Sequence, residues 1–356
     1  MNRNFIEIEG LSRDVIEGLL NVGKRMIEII DVGTDIAKGK ILATAFYEPS
    51  TRTRLSFASA MLRLGGQVIN LGDLAATSAT KGEVLMDTIK MLSSYSDIIA
   101  MRHPNEGAQM AMSMYAGVPI INGGDGGHEH PTQTMLDLLT ILNERGTIDG
   151  LTVCAVGDLY YGRTVHSLAY ALSKFDTKMI CVSPEKLYLP DYVQKKLPDR
   201  FISRKESLED IMNKVDVLYI TRLQRERFDD PKLYEKIKGK YIITRELLSK
   251  AKNDLIVMHP LPRVFEIDYD VDADNRAVYF RQAFYGVPMR MALISVLLEL
   301  IEAPLPKMKI SIPSEIPCEN LRCITKSETY LPQMQDENGT CYYCSKPMKV
   351  QKRLDI

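Results

Sequence analysis

Two arginines, Arg52 and Arg54, stand among hydroxyl residues in Ser50-Thr51-Arg52-Thr53-Arg54, just after the apolar run Ile41–Phe46 and Pro49. The next residues carry apolar side chains at helical spacing and stop at Gly65-Gly66. The arginines therefore fall in the first turn of a helix, where the dipole disfavours cations by roughly 0.3–1 kcal/mol each. A bound anion removes that conflict. It would accept bonds from free helix N–H groups, from the Ser50, Thr51 and Thr53 hydroxyls, and from an arginine fork. The plainer alternative is that Ser50 caps the helix and both arginines reach into water. The glycines and Lys-Ser/Thr of a Walker A loop are absent.

Other residues suggest further chemistry. His130-Pro131-Thr132-Gln133 closes a glycine-rich turn and opens a second helix. A histidine at a helix N-terminus has its pKa pushed down and can polarise a carbonyl as a neutral ring. Helix capping explains the same residues without catalysis. Arg163, in the 157–168 segment, fits a carboxylate clamp, and Arg222 with Gln224 offers another. The bland reading of 222–228 is a solvated charged stretch. Only Gly157 and Gly162 stand after the strand at 151–156, so a dinucleotide fingerprint is rejected. Near the C-terminus, Cys318 and Cys323, then Cys341 and Cys344, form two paired knuckles. Four thiolates at this spacing suit a structural zinc ion. Two disulfides or an iron–sulfur cluster are the alternatives, and a cytoplasmic setting disfavours the disulfides.

Short apolar runs alternate with amphipathic segments and place these residues. Strands are expected at 41–46, 67–71, 97–101, 118–121, 151–156, 178–182, 215–220 and 255–258. Helices are expected from 51, over 82–95, 106–115 and 131–143, from 162, and over 285–301. That order implies an α/β protein with two doubly wound parallel-sheet domains. The expected domains are 1–132 with 286–304, then 133–285. A linker near 303–307 leads to a small zinc-binding module at 307–356, too small to build much core without its metal. Cys154 and Cys181 lie in apolar runs and read as small buried hydrophobes.

The bulk numbers exclude several classes. A net charge of −1 draws the chain neither to nucleic acid nor to an anionic membrane. The start lacks the apolar core of a signal peptide, and the apolar stretch 291–298 is too short to span a bilayer. The expected location is cytoplasmic.

Ser50-Thr51-Arg52-Thr53-Arg54 together with His130-Pro131-Thr132-Gln133 resembles the transcarbamylase family, over roughly residues 1–305. The stretch 258–267, Met-His-Pro-Leu-Pro-Arg-Val-Phe-Glu-Ile, is similar to its aspartate branch, the aspartate carbamoyltransferases of pyrimidine synthesis. An enzyme for ornithine or a related amine, or a non-catalytic scaffold, are the rivals.

The resemblance implies carbamoyl phosphate bound by Ser50, Thr51, Arg52, Thr53, Arg102, His130 and Gln133. It implies L-aspartate held by Lys81, Arg163, Arg222, Gln224, Leu261 and Pro262, with catalysis by Arg52, Thr53, Lys81, Arg102 and His130. The backbone carbonyl groups of Pro260 and Leu261 would assist. It also implies a homotrimer in which Lys81 reaches a neighbouring subunit's site, and no catalytic metal or organic cofactor. The family's usual loop serine is replaced by Thr77, with Ser78 beside it. The cysteine tail resembles the zinc domain of the separate regulatory chain, here fused to a catalytic chain. The nucleotide-binding half of that regulatory chain is missing, which implies an assembly or stabilising role, such as joining two trimers, and no allosteric nucleotide site.

Overall fold

The structure is a computed structural model that describes residues 3–71, 82–205, 207–223 and 239–348. The chain divides into two compact units. One runs to Thr132 and resumes at Val287; the other is Gln133–Gly286.

The first unit carries a four-stranded parallel sheet of β1 (Ile41–Phe46), β2 (Gln67–Asn70), β3 (Ile98–His103) and β4 (Ile120–Asp125), in the order β2-β1-β3-β4. Leu42–Ala45 are buried, as are the six residues of β4. Covering both sheet faces demands such unbroken runs rather than alternation. Helix α1 (Arg13–Ile29) precedes the sheet. Ser12 caps it by accepting from the Val15 N–H, and the strand–helix alternation did not reveal it. Helices α2 (Thr51–Arg63), α3 (Leu85–Tyr95) and α4 (Ala108–Ser113) connect the strands.

The strand order reverses between β1 and β3, making a doubly wound sheet with its switch point there. Such switch points open a crevice beyond the strands' carboxyl ends.

The second unit holds most of α5 (Pro131–Arg145) and a five-stranded parallel sheet. Its strands are β5 (Thr152–Val156), β6 (Lys178–Val182), β7 (Ile202–Lys205), β8 (Val217–Ile220) and β9 (Ile256–Met258), in the order β7-β6-β5-β8-β9. Helix α6 (Arg163–Leu172) follows β5, and the switch point lies between β5 and β8. Strand β7, mostly exposed at the sheet edge, lacks the apolar run that marks the others.

Helix α3 begins at Leu85 rather than 82, and two other helices differ further from the sequence expectation. The last long helix is Tyr279–Leu297, starting earlier than residue 285 and tolerating Pro288 inside it. The expected helix 106–115 shortens to α4 because Glu106 and Gly107 are engaged elsewhere.

Their partner is the cysteine tail, which packs within the first unit. Its four cysteines, Leu331, Tyr342, Tyr343 and Met348 share one apolar cluster with Leu85, Ile89, Leu92, Ala108 and Met112. Glu106 N–H donates to the Arg322 carbonyl at 2.8 Å, and Ile324 N–H returns a bond to the Glu106 carbonyl at 2.9 Å. Gly107 sits at φ +82 against Tyr343, whose backbone carbon and oxygen would lie 2.4 Å from any added Cβ. Within the tail, Ile312–Pro313 pairs antiparallel with Met334–Gln335.

Candidate active site and cysteine cluster

At the first sheet's switch point, β1 delivers residues 47–54 and β3 delivers Arg102. Register pairs Phe46 with Arg102 and His103 with Asp125, so all three strand ends meet one edge. Ser50 is the N-cap residue of α2, yet its side chain makes no capping hydrogen bond, and the first turn holds no acid. The helix start thus presents its N–H groups and positive dipole end without a cap from Ser50 or an acid in its first turn. Thr53 is buried, while Thr51 and Arg52 are exposed. Desolvation lowers the Arg52 pKa from its ordinary value. Arg102 is mostly buried; it donates to the Gly123 carbonyl at 3.2 Å and pairs with Glu48 at 2.8 Å. Thr53 packs against the same glycine: an ideal Cβ at Gly123 would lie 3.6 Å from Thr53 Cγ2. Gly123 therefore lets Thr53 and Arg102 share one locus.

His130 closes the turn that follows β4. It is buried, with Nδ1 3.5 Å from Thr132 Oγ1. The turn is held by Asp125, which accepts from Gly107 N–H and His128 Nδ1, each at 2.8 Å, and from Glu129 N–H at 2.9 Å. Burial works against a charged His128, but Asp125 prevails and raises its pKa to about 9. Burial likewise opposes the Asp125 carboxylate, and His128 brings its pKa below the usual value. His103 goes the other way: burial lowers it to about 4.

In the second unit, Gln133 donates to Asp137 at 2.9 Å. Asp137 also accepts from Gln282 at 2.7 Å and Tyr219 at 2.8 Å, which fixes the carboxylate from three sides. Arg163 opens α6, whose N-cap Gly162 has no side chain to offer. Arg222 follows β8, so the two arginines stand beyond neighbouring strands at the second switch point. Gly157 (φ +111) is required there, because a Cβ would meet the Thr221 carbonyl oxygen at 2.2 Å.

Leu261, at φ +56, precedes a cis bond to Pro262. Leu261 N–H donates to His259 Nδ1 at 2.7 Å, and His259 Nε2 meets Glu266 at 2.8 Å. Burial opposes a charged Glu266, yet the His259 contact holds its pKa below the ordinary range. Lys81, Gln224, Thr77 and Ser78 lie outside the described residues. Glu48, Asp125, His128, Asp137, His259 and Glu266 were not singled out from sequence. The hints were the charged trio Asp125, His128 and Glu129 inside a glycine-rich turn, and the 258–267 stretch that contains His259 and Glu266.

The four tail cysteines form no disulfides. Their sulfurs lie within 4.8 Å of one another and all four residues are buried. Cys318 Sγ to Cys344 Sγ is 3.7 Å, and Cys323 Sγ to Cys341 Sγ is 3.9 Å. A tetrahedron with metal–sulfur distances of about 2.3 Å has edges of about 3.8 Å, so these residues fit a bound metal ion. Thr325 Oγ1 donates to Cys323 Sγ at 3.3 Å and adds an outer contact.

Known proteins match this chain along most of its length. Residues 3–143 match the carbamoyl-phosphate-binding domain, and residues 149–297 the aspartate/ornithine-binding domain, of aspartate/ornithine carbamoyltransferases. The chain is 52% identical over 296 residues to an aspartate carbamoyltransferase catalytic subunit of Thermoplasma acidophilum, covering 82% of this chain and 97% of that one. The catalytic subunit of Methanocaldococcus jannaschii aspartate transcarbamoylase superposes with a TM-score of 0.79 at 52% identity, over 83% of this chain and 98% of that one. Aspartate transcarbamoylase of Trypanosoma cruzi, solved with N-(phosphonacetyl)-L-aspartic acid, gives 0.78 at 43% identity, over 82% and 95%.

Proposed function

The chain belongs to the aspartate/ornithine carbamoyltransferase family, and from that premise we propose how its residues move a carbamoyl group from carbamoyl phosphate to the amine of L-aspartate. The observation that carries the reading is the α2 start: an uncapped helix end, the Ser50, Thr51 and Thr53 hydroxyls, and Arg52, beside Arg102. This set answers a doubly charged phosphoryl group.

Phosphate binds there, and Thr53, Arg102 and His130 donate to the carbamoyl carbonyl oxygen. The aspartate nitrogen attacks the carbonyl carbon, and negative charge grows on that oxygen, where fixed donors lower the barrier. The carbon–oxygen bond to phosphate then breaks. The departing phosphate takes the amine proton, so no side-chain base is needed. Gln133, oriented by Asp137, binds the carbamoyl NH2. Arg163, Arg222 and Gln224 grip the aspartate carboxylates, and the turn at Pro260, Leu261 and Pro262 offers backbone carbonyls. Lys81 completes the site from a neighbouring subunit of a homotrimer.

Residues 1–132 with 286–304 form the carbamoyl-phosphate domain and 133–285 the aspartate domain. Residues 307–356 form the module in which Cys318, Cys323, Cys341 and Cys344 hold a structural zinc ion. The reaction takes place in the cytoplasm.

A bisubstrate analogue joining phosphonate to aspartate tests the chemistry. It should bind tightly and compete with carbamoyl phosphate. Failure to bind, or equal turnover of ornithine, would refute the assignment. Mixing Arg52→Ala with Lys81→Ala trimers tests the shared site: some mixed sites carry both wild-type residues, so activity should return on subunit exchange. Proven exchange without recovery rejects sharing.

A further inference from the structure

The turn that carries His130 is built around a buried ion pair. Asp125, 1% exposed, spends both carboxylate oxygens on it. Oδ2 accepts from Gly107 N–H and His128 Nδ1, and Oδ1 accepts from Glu129 N–H and, at 3.4 Å, from Asn122. The backbone closes the same loop: Asp125 N–H donates to the Glu129 carbonyl, and His128 N–H to the Asp125 carbonyl. Glu129 is anchored in turn by the Ile8 N–H, 2.8 Å from Oε2. A buried ion pair is a poor source of stability, since desolvation offsets most of the attraction, but it defines geometry sharply.

The other side of this network is the cysteine module. Gly107, which donates to Asp125, rests on Tyr343, between Cys341 and Cys344. Glu106 is bracketed by Arg322 and Ile324, on either side of Cys323, and its Oε2 accepts from Asn320 at 2.8 Å. A continuous path of bonds and contacts thus runs from the metal-ligand segments through Glu106 and Gly107 to Asp125, His128 and the residue before His130.

We propose that Asp125 and His128 are positioning residues for His130, and that the docked cysteine module holds them in register through Glu106 and Gly107. The inference rests on the reading of His130 as the group that polarises the carbonyl. It makes the module a structural support of the active site as well as an assembly element. Neither Asp125 nor His128 touches substrate; they fix the ring that does.

Kinetics and ring NMR on the full-length trimeric enzyme test it. His128→Leu should lower kcat about ten- to hundredfold, the usual cost of ångström-scale misplacement, with KM for carbamoyl phosphate changed less than about twofold. His128→Asn, whose amide nitrogen takes the place of Nδ1, should recover most of kcat. The chain has five histidines, so imidazole 15N signals can be assigned by single substitution. The His130 signal should move in His128→Leu, and in the same direction in Asn320→Ala and after chelation of the tail metal.

A folded His128→Leu enzyme with unchanged kcat, or a loss seen only in KM, overturns the positioning role. A His130 signal unmoved by Asn320→Ala and by chelation overturns the coupling to the tail. His130→Ala separates the two readings. If that variant keeps full kcat, the carbonyl-polarising role fails, and the ring signal alone then judges the positioning.

Discussion

On the proposed reading, side chains at the first switch point divide into those that hold the anion and those that position them, and Arg52 is of the first kind. Arg52→Ala should cut kcat/KM by at least about 10²-fold, as expected for loss of a charged transition-state contact. Steady-state assays check this, and circular dichroism should show an intact fold. His128 belongs to the second kind, and its charge has a calculable pH signature. Its folded pKa of about 9 lies above the ordinary 6.5. Its stabilising contribution is therefore complete below about pH 6.5 and is lost as pH rises through about 9. The groups facing it are Asp125 and Glu129 on its own turn and Glu106 before α4, with the neutral His103 ring behind Asp125. The urea midpoint should fall between pH 7 and 10, and less steeply in His128→Asn. Equal slopes in the two proteins would exclude this pair as the cause.

Elements set how much of this could be read in advance. Apolar runs such as Ile41–Phe46 and Lys178–Val182 occur where expected, because a strand covered on both faces has few residue choices. The Ser50–Arg54 motif was legible for a local reason: its chemistry lies within one helical turn. The Asp125–His128 pair was not, since its meaning depends on Gly107 donating from another connection. The docked tail was also hidden, because Glu106 and Asn320 are 214 positions apart in sequence.

Helix α3 shows the tail working at element level. Leu85 N–H donates to Glu328 at 3.2 Å and Met86 N–H to the Tyr330 hydroxyl at 3.1 Å, so the tail supplies acceptors that the helix start lacks. Glu328→Ala should cost about 1 kcal/mol of unfolding free energy, the ordinary value of a lost cap, read from urea titration. An unchanged midpoint would show that water replaces the contact without loss.

Across the whole molecule, the cysteine cluster is part of a larger core rather than an appendage. Its residues share apolar contacts with α3 and α4, so metal removal should loosen the first unit along with the tail. Chelation should lower the thermal midpoint and speed amide exchange in α4. Exchange confined to residues beyond 307 would contradict that expectation. No described helix is long and apolar enough to cross a membrane.

The module docks on the unit from which its own chain emerges at Val287–Leu297. Its encounter with Glu106 is intramolecular, governed by a millimolar-range effective concentration instead of by protein abundance. Dilution, which separates a two-chain complex, leaves this contact in place, and every newly made polypeptide brings its own buttress in one-to-one proportion.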